Sequence, residues 1–177
     1  MSLLYNRRVR RLFPAALTLA AVVWSLTLLA APYALTSDSP RLISAAAAVY
    51  SGAGLICHQR AARSFHLAGV QLPVCGRCSG LYLSGALGAM LGWLASRQPR
   101  SGAWTRRLLG LAALPTALSV VLEFAGLVHP SNLIRAACAV PLGAAAGWIF
   151  VQSLLAGTTV PDHVAAVVHD EAALGRP

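Results

Sequence analysis

A helix that crosses a hydrocarbon core of about 30 Å needs about 20 consecutive, mostly apolar residues. This chain holds four stretches near that length, at 12–35, 79–95, 108–128 and 133–155, the first of them behind Arg7, Arg8, Arg10 and Arg11. A fifth apolar run, 42–56, has only 15 residues and is expected to form a partial, interfacial or re-entrant helix. The expected fold is therefore all-α: a polytopic membrane helix bundle of about four transmembrane helices plus that short one. Composition agrees, with 57% hydrophobic and 11% charged residues, where soluble domains carry roughly a quarter charged. At 177 residues the chain holds one membrane domain, 12–155, between a basic N-terminus, 1–11, and a polar tail, 156–177. The apolar run at 12–35 is longer than the core of a signal peptide, so it is read as a retained helix.

The net charge of +9 comes from 14 basic residues, all of them arginine. Nucleic-acid binding needs a basic face on a water-soluble scaffold, which this composition excludes. Arginines held in cytoplasmic loops account for the charge instead. With four spans and both termini inside, nine arginines (Arg7, Arg8, Arg10, Arg11, Arg97, Arg100, Arg106, Arg107, Arg176) face the cytoplasm and five (Arg41, Arg60, Arg63, Arg77, Arg135) face out. If 42–56 also spanned, the count would be eight against six, with the dense 97–107 loop exported. The expectation is a multi-pass protein of the cell inner membrane, with the segment 57–78 outside and membrane lipids as partners.

Small residues recur every four positions in the second span, at Gly80, Ser84, Gly88 and Gly92, and again in the fourth at Ala139, Gly143 and Gly147. Such stripes let helix backbones approach closely. The partner can be another helix of the chain or a second copy of it. Pro115 and Pro141 interrupt the third and fourth spans, where neighbouring groups must satisfy the freed carbonyls.

The outer segment concentrates the chemistry. Three of the four cysteines and two of the five histidines lie within 22 residues, as Cys57-His58-Gln59-Arg60, Arg63-Ser64-Phe65-His66 and Pro73-Val74-Cys75-Gly76-Arg77-Cys78. A Cys-x-x-Cys turn sets two thiolates at the corner of a tetrahedron, and Cys57 with His58 or His66 completes a Cys3His shell suited to zinc or a similar thiophilic ion. Cys57, His58, Cys75 and Cys78 are the candidate ligands, with Arg77 placed to stabilise thiolates. Two alternatives use the same residues: a quinone-linked thiol oxidoreductase in which Cys75 and Cys78 form a reversible disulfide, or a structural disulfide from Cys57 to Cys75 or Cys78. Cys138, alone in an apolar run, reads as a small core residue. His163 and His169 read as solvated residues of the tail.

Cys-His-Gln-x3-Arg-Ser-Phe followed by Pro-x-Cys-x-Arg-Cys-x-Gly-x-Tyr resembles the signature of the domain of unknown function 2085 family, small predicted membrane proteins of bacteria and archaea. Ser131-Asn132-x2-Arg135 with Gly143 is similar to a second, weaker block of that family. The resemblance covers about 43–149 and implies a polytopic membrane protein of uncharacterised activity, with Cys57, His58, Cys75 and Cys78 as family residues.

Glu123 is the one acid inside an expected span, and such a residue needs a partner or a proton. It lies about five residues below the outer end of its helix, within reach of Arg135 across the short 129–132 connection. Arg60, Arg63, Arg77 and Arg135 also offer guanidinium forks matched to phosphate oxygens, which suggests a lipid-phosphate or headgroup ligand. His-Glu-x-x-His, Walker, dinucleotide-fingerprint and Gly-x-Ser-x-Gly motifs are absent. Any catalysis must therefore rest on cysteine, histidine or a bound cofactor.

Overall fold

The computed structural model describes residues 2–95 and 102–156, with side chains from Arg11 onward. Arg97, Arg100, Arg176 and the tail that carries His163 and His169 lie outside the described residues. Five helices form in the expected places: α1 Ser2–Leu35, α2 Pro40–Gly54, α3 Gly76–Leu94, α4 Gly102–Phe124 and α5 Asn132–Ala156. Among them α1, α4 and α5 are long and apolar enough to cross a membrane, and the short run expected at 42–56 is the 15-residue α2.

The run expected as the second span is α3, which does not join those three by hydropathy. Its inward positions are Gly76, Ser79, Gly80, Ser84, Gly88 and Gly92, small residues that lower its hydropathy and are buried against protein. A β-carbon added at Gly80 would meet the Ala136 carbonyl, and one at Gly88 the Ala144 carbonyl, both closer than atoms can approach. The partner numbers advance in step, so α3 and α5 run parallel, with the two small-residue stripes meeting inside the chain. Gly143 and Gly147 of α5 return the contact against the backbone at Leu81 and Gly85. Close backbone approach of this kind gives membrane helices their packing attraction.

α1 and α4 are antiparallel to this pair. Ser25 Oγ donates to the Tyr82 carbonyl at 3.1 Å and Trp93 Nε1 donates to Thr18 Oγ1 at 3.0 Å, so α1 descends as α3 ascends. On the opposite side, Thr116 Oγ1 donates to the Cys138 carbonyl at 2.7 Å and couples α4 to α5. The start of α3, the end of α4 and the start of α5 consequently lie at one end of the bundle, together with the segment 57–78.

That segment is not a plain loop, as an all-α reading expects. After a 3-10 turn at Ala61–Arg63, strands β1 Ser64–Leu67 and β2 Val70–Cys75 pair antiparallel, with His66 opposite Gln71 and Leu67 opposite Val70. Ala68 (φ 51°) and Gly69 (φ 76°) both take left-handed backbone, the conformation that a two-residue hairpin turn matched to strand twist requires. β2 then feeds directly into α3. Val74 and Leu72 are buried, and Val74 packs with Leu28 and Ala53 against Cys57 and Cys75.

Candidate metal centre

Three elements deliver three thiols to one point. Cys57 follows α2, its N–H donating to the Ala53 carbonyl at 2.9 Å. Cys75 ends β2 and caps α3, and Cys78 lies in the first turn of that helix. Their Sγ atoms all lie within 4.8 Å of one another. Sulfurs sharing one zinc at bonds of about 2.3 Å would be about 3.8 Å apart, so a small contraction would seat an ion. Cys57 and Cys75 are buried and Cys78 half-buried, and all are free thiols. The Cys75 N–H donates to Cys57 Sγ at 3.2 Å. The hydrogen bond from the Cys78 thiol holds the Cys75 thiol well below its ordinary range, at about 5, with His58 adding a smaller electrostatic pull.

A polar clasp holds the Cys57 turn over β2. Gln59, in left-handed backbone (φ 47°), donates from Nε2 to the Tyr50 carbonyl at 2.7 Å and the Pro73 carbonyl at 2.8 Å. Gln71 Nε2 answers by donating to the Gln59 carbonyl at 2.6 Å, and the Tyr50 hydroxyl donates to the Gln71 carbonyl. Sequence reasoning assigned Gln59, Gln71 and Tyr50 no part in the site. Gln59 stood out only as the third residue of the Cys-His-Gln signature, directly after two candidate ligands.

The remaining candidates are placed differently. His58 is exposed and outside the three-sulfur group, its Nδ1 accepting the Arg60 N–H at 3.2 Å. His66 is exposed on β1, and Cys138 is half-buried along α5. Arg77 lies between the two cysteines in sequence, yet its guanidinium turns to α4. There Nη2 donates to Glu123 Oε2 at 2.7 Å and lies 3.2 Å from the Ser119 carbonyl.

Glu123 thus centres a second group at the same end of the bundle. Arg135 Nη2 meets its Oε1 at 2.8 Å, across the α4–α5 connection, and Arg63 Nη2 reaches the same oxygen at 3.0 Å. The carboxylate side chain is 6% exposed. Asn132 joins this group to the hairpin, accepting from Arg135 Nη1 at 3.0 Å and donating to the Ser64 carbonyl at 2.9 Å. Arg60 is exposed and is not among the residues paired with Glu123.

Residues 57–149 match DUF2085, described as a predicted membrane protein. The chain belongs to this family. The DUF2085 region opens at Cys57 and ends inside α5, so it contains all three clustered thiols, the hairpin, Glu123 and its arginines, while α1 and α2 precede it. An uncharacterized protein of Methanothermobacter thermautotrophicus is 30% identical over 88 residues, half of this chain and 78% of the relative. One of Methanocaldococcus jannaschii is 29% identical over 113 residues, 64% of this chain and 62% of the relative. No solved structure matches the chain.

Proposed function

We propose that Cys57, Cys75 and Cys78 hold a thiophilic metal ion, zinc first among them, at the outer end of the membrane bundle. The carrying observation is the mutual approach of three thiol sulfurs within 4.8 Å, with no histidine or carboxylate among the described residues in the group. Soft thiolate ligands favour zinc or copper(I) over hard cations. Three protein ligands leave a fourth position for a solvent or exogenous ligand, and a rotation of His58 is the alternative way to close it. The ion would pin the Cys57 turn to the α3 N-terminus, so that metal binding contributes to the folding of the segment.

Elemental analysis of the reduced, purified protein tests this. About one zinc or copper per chain is expected. Less than about 0.2 per chain, after refolding or washing with either ion available, removes the proposal.

One observation favours a second reading, thiol oxidation coupled to a membrane quinone. An apolar cleft of about 430 Å³ opens between α1, α3 and α5, and two of its lining residues, Trp24 and Tyr82, also pack on the buried apolar cluster that includes Cys57 and Cys75. In that reading Cys75 and Cys78 lose two electrons and two protons to form a disulfide, and a quinone in the cleft takes up both to become the quinol. Alkylation mapping separates the two. Protection of the thiols that disappears with a chelator belongs to metal, whereas protection that disappears only with a reductant belongs to a disulfide.

A further inference from the structure

The group around Glu123 carries three cations on one anion, so guanidinium donors far outnumber the carboxylate's acceptor sites. Oε1 accepts from Arg135 and lies 3.0 Å from Arg63 Nη2 in an ion pair, and Oε2 accepts from Arg77 with Arg135 Nε at 3.4 Å. A carboxylate offers about four acceptor sites, whereas three guanidiniums carry roughly fifteen N–H donors at five apiece. Ser119 and Asn132 absorb a few of the remainder. Arg77 Nε is buried with no acceptor, and Arg63, whose side chain is 31% exposed, gives Glu123 a single Nη. Most of the unmet donors belong to Arg63 and Arg77, and the formal charge of the group is +2.

Excess positive charge at the edge of a low-dielectric region is costly unless an anion reaches it. The group lies at the end of α4 and the start of α5, tied to the hairpin through Asn132. Planar forks held by a carboxylate on one side are preorganised for a tetrahedral oxyanion on the other. From this arrangement we infer that Arg63 and Arg77, braced by Glu123 and Arg135, form a binding site for a phosphate group, presented by a lipid headgroup or by free phosphate. The site is separate from the thiol cluster and stands whether or not that cluster holds metal. Arg60, exposed and outside the group, is not part of it.

The test is thermal melting of the full chain in neutral, phosphate-free detergent. One arm titrates inorganic phosphate, and the other compares dihexanoyl phosphatidate with the matched diacylglycerol. Stabilisation by phosphatidate but not by diacylglycerol or inorganic phosphate supports the site with a lipid headgroup as its source, and stabilisation by inorganic phosphate as well supports it for free phosphate. Arg63→Gln is expected to weaken the stabilising probe about tenfold, the loss of a charge-assisted bond, while Arg60→Gln leaves it unchanged. Arg63→Lys, which keeps the charge but not the fork, is expected to fall between wild type and Arg63→Gln. No stabilisation of wild type by either phosphate probe overturns the inference. So does equal weakening by Arg60→Gln and Arg63→Gln, or unchanged binding in both Arg63 variants.

Discussion

Cys57 stands 18 residues before Cys75, yet the Cys75 backbone donates to its sulfur. A thiol held in that way is committed to its site before any ion arrives. Serine in place of Cys57, Cys75 or Cys78 should each abolish metal retention through dialysis. His58→Ala should keep it, because the imidazole lies outside the sulfur group; loss of metal in His58→Ala, measured by elemental analysis, would instead close the shell with histidine. Proton linkage gives a second expectation for the metal-free protein. The folded Cys75 thiol ionises near 5, whereas the unfolded thiol holds its proton to about 8.5. Between those values the unfolded chain binds more protons, so stability contributed by Cys75 rises with pH across that window. It is fully present above the upper value and lost as pH falls through about 5. Melting of the chelated, reduced protein between pH 5 and 8, compared with Cys75→Ser, checks the slope: the variant should lose it. At this scale the sequence was legible in part. The Glu123–Arg135 approach follows from two helix ends joined by a short connection, but Arg77 reaches the same carboxylate through the placement of α3 beside α5, and Arg63 through the hairpin segment tied to Asn132, which no local pattern encodes.

The elements were easier to read than their partnerships. Long apolar runs announce α1, α4 and α5, because a bilayer-length helix leaves a signal averaged over 20 positions, although α1 and α4 begin 10 and 6 residues before the expected runs at 12 and 108. The hairpin leaves almost none: strands of four and six residues, one containing Pro73, are too short for alternation to emerge. The glycine stripes declared a close helix contact without naming the partner, and the partner is α5. Substitutions should rank accordingly. Gly88→Ala drives a methyl into the Ala144 carbonyl, a backbone atom that cannot swing away. It is expected to cost about 1–3 kcal/mol as overpacking does. Gly85→Ala meets only the Gly143 carbonyl at 3.6 Å, and Gly110→Ala on α4 meets nothing within 4 Å. Both should be near neutral, or slightly stabilising where helix propensity alone acts. Melting of the three variants in one detergent provides the ranking, and equal losses in all three would remove the backbone-contact argument.

At the scale of the whole molecule, the helix directions turn the arginine count into a statement about every loop. α1 and α4 run one way and α3 and α5 the other, so the thiol cluster, the Glu123 group and the α4–α5 connection share one end, while the start of α4 marks the other. From the nine-to-five distribution of arginines we propose that the first end lies outside the cytoplasm. Cysteines introduced at two exposed positions test this without touching either site. Leu127, in the α4–α5 connection, is 71% exposed, and Ala103 is exposed in the first turn of α4. In intact cells an impermeant thiol reagent should modify Leu127→Cys above the wild-type background, and it should modify Ala103→Cys only after lysis. The native cysteines are buried or half-buried, which keeps that background low. The reverse pattern would place the thiol cluster on the cytoplasmic side, where reducing conditions work against a disulfide and leave the three sulfurs to a metal.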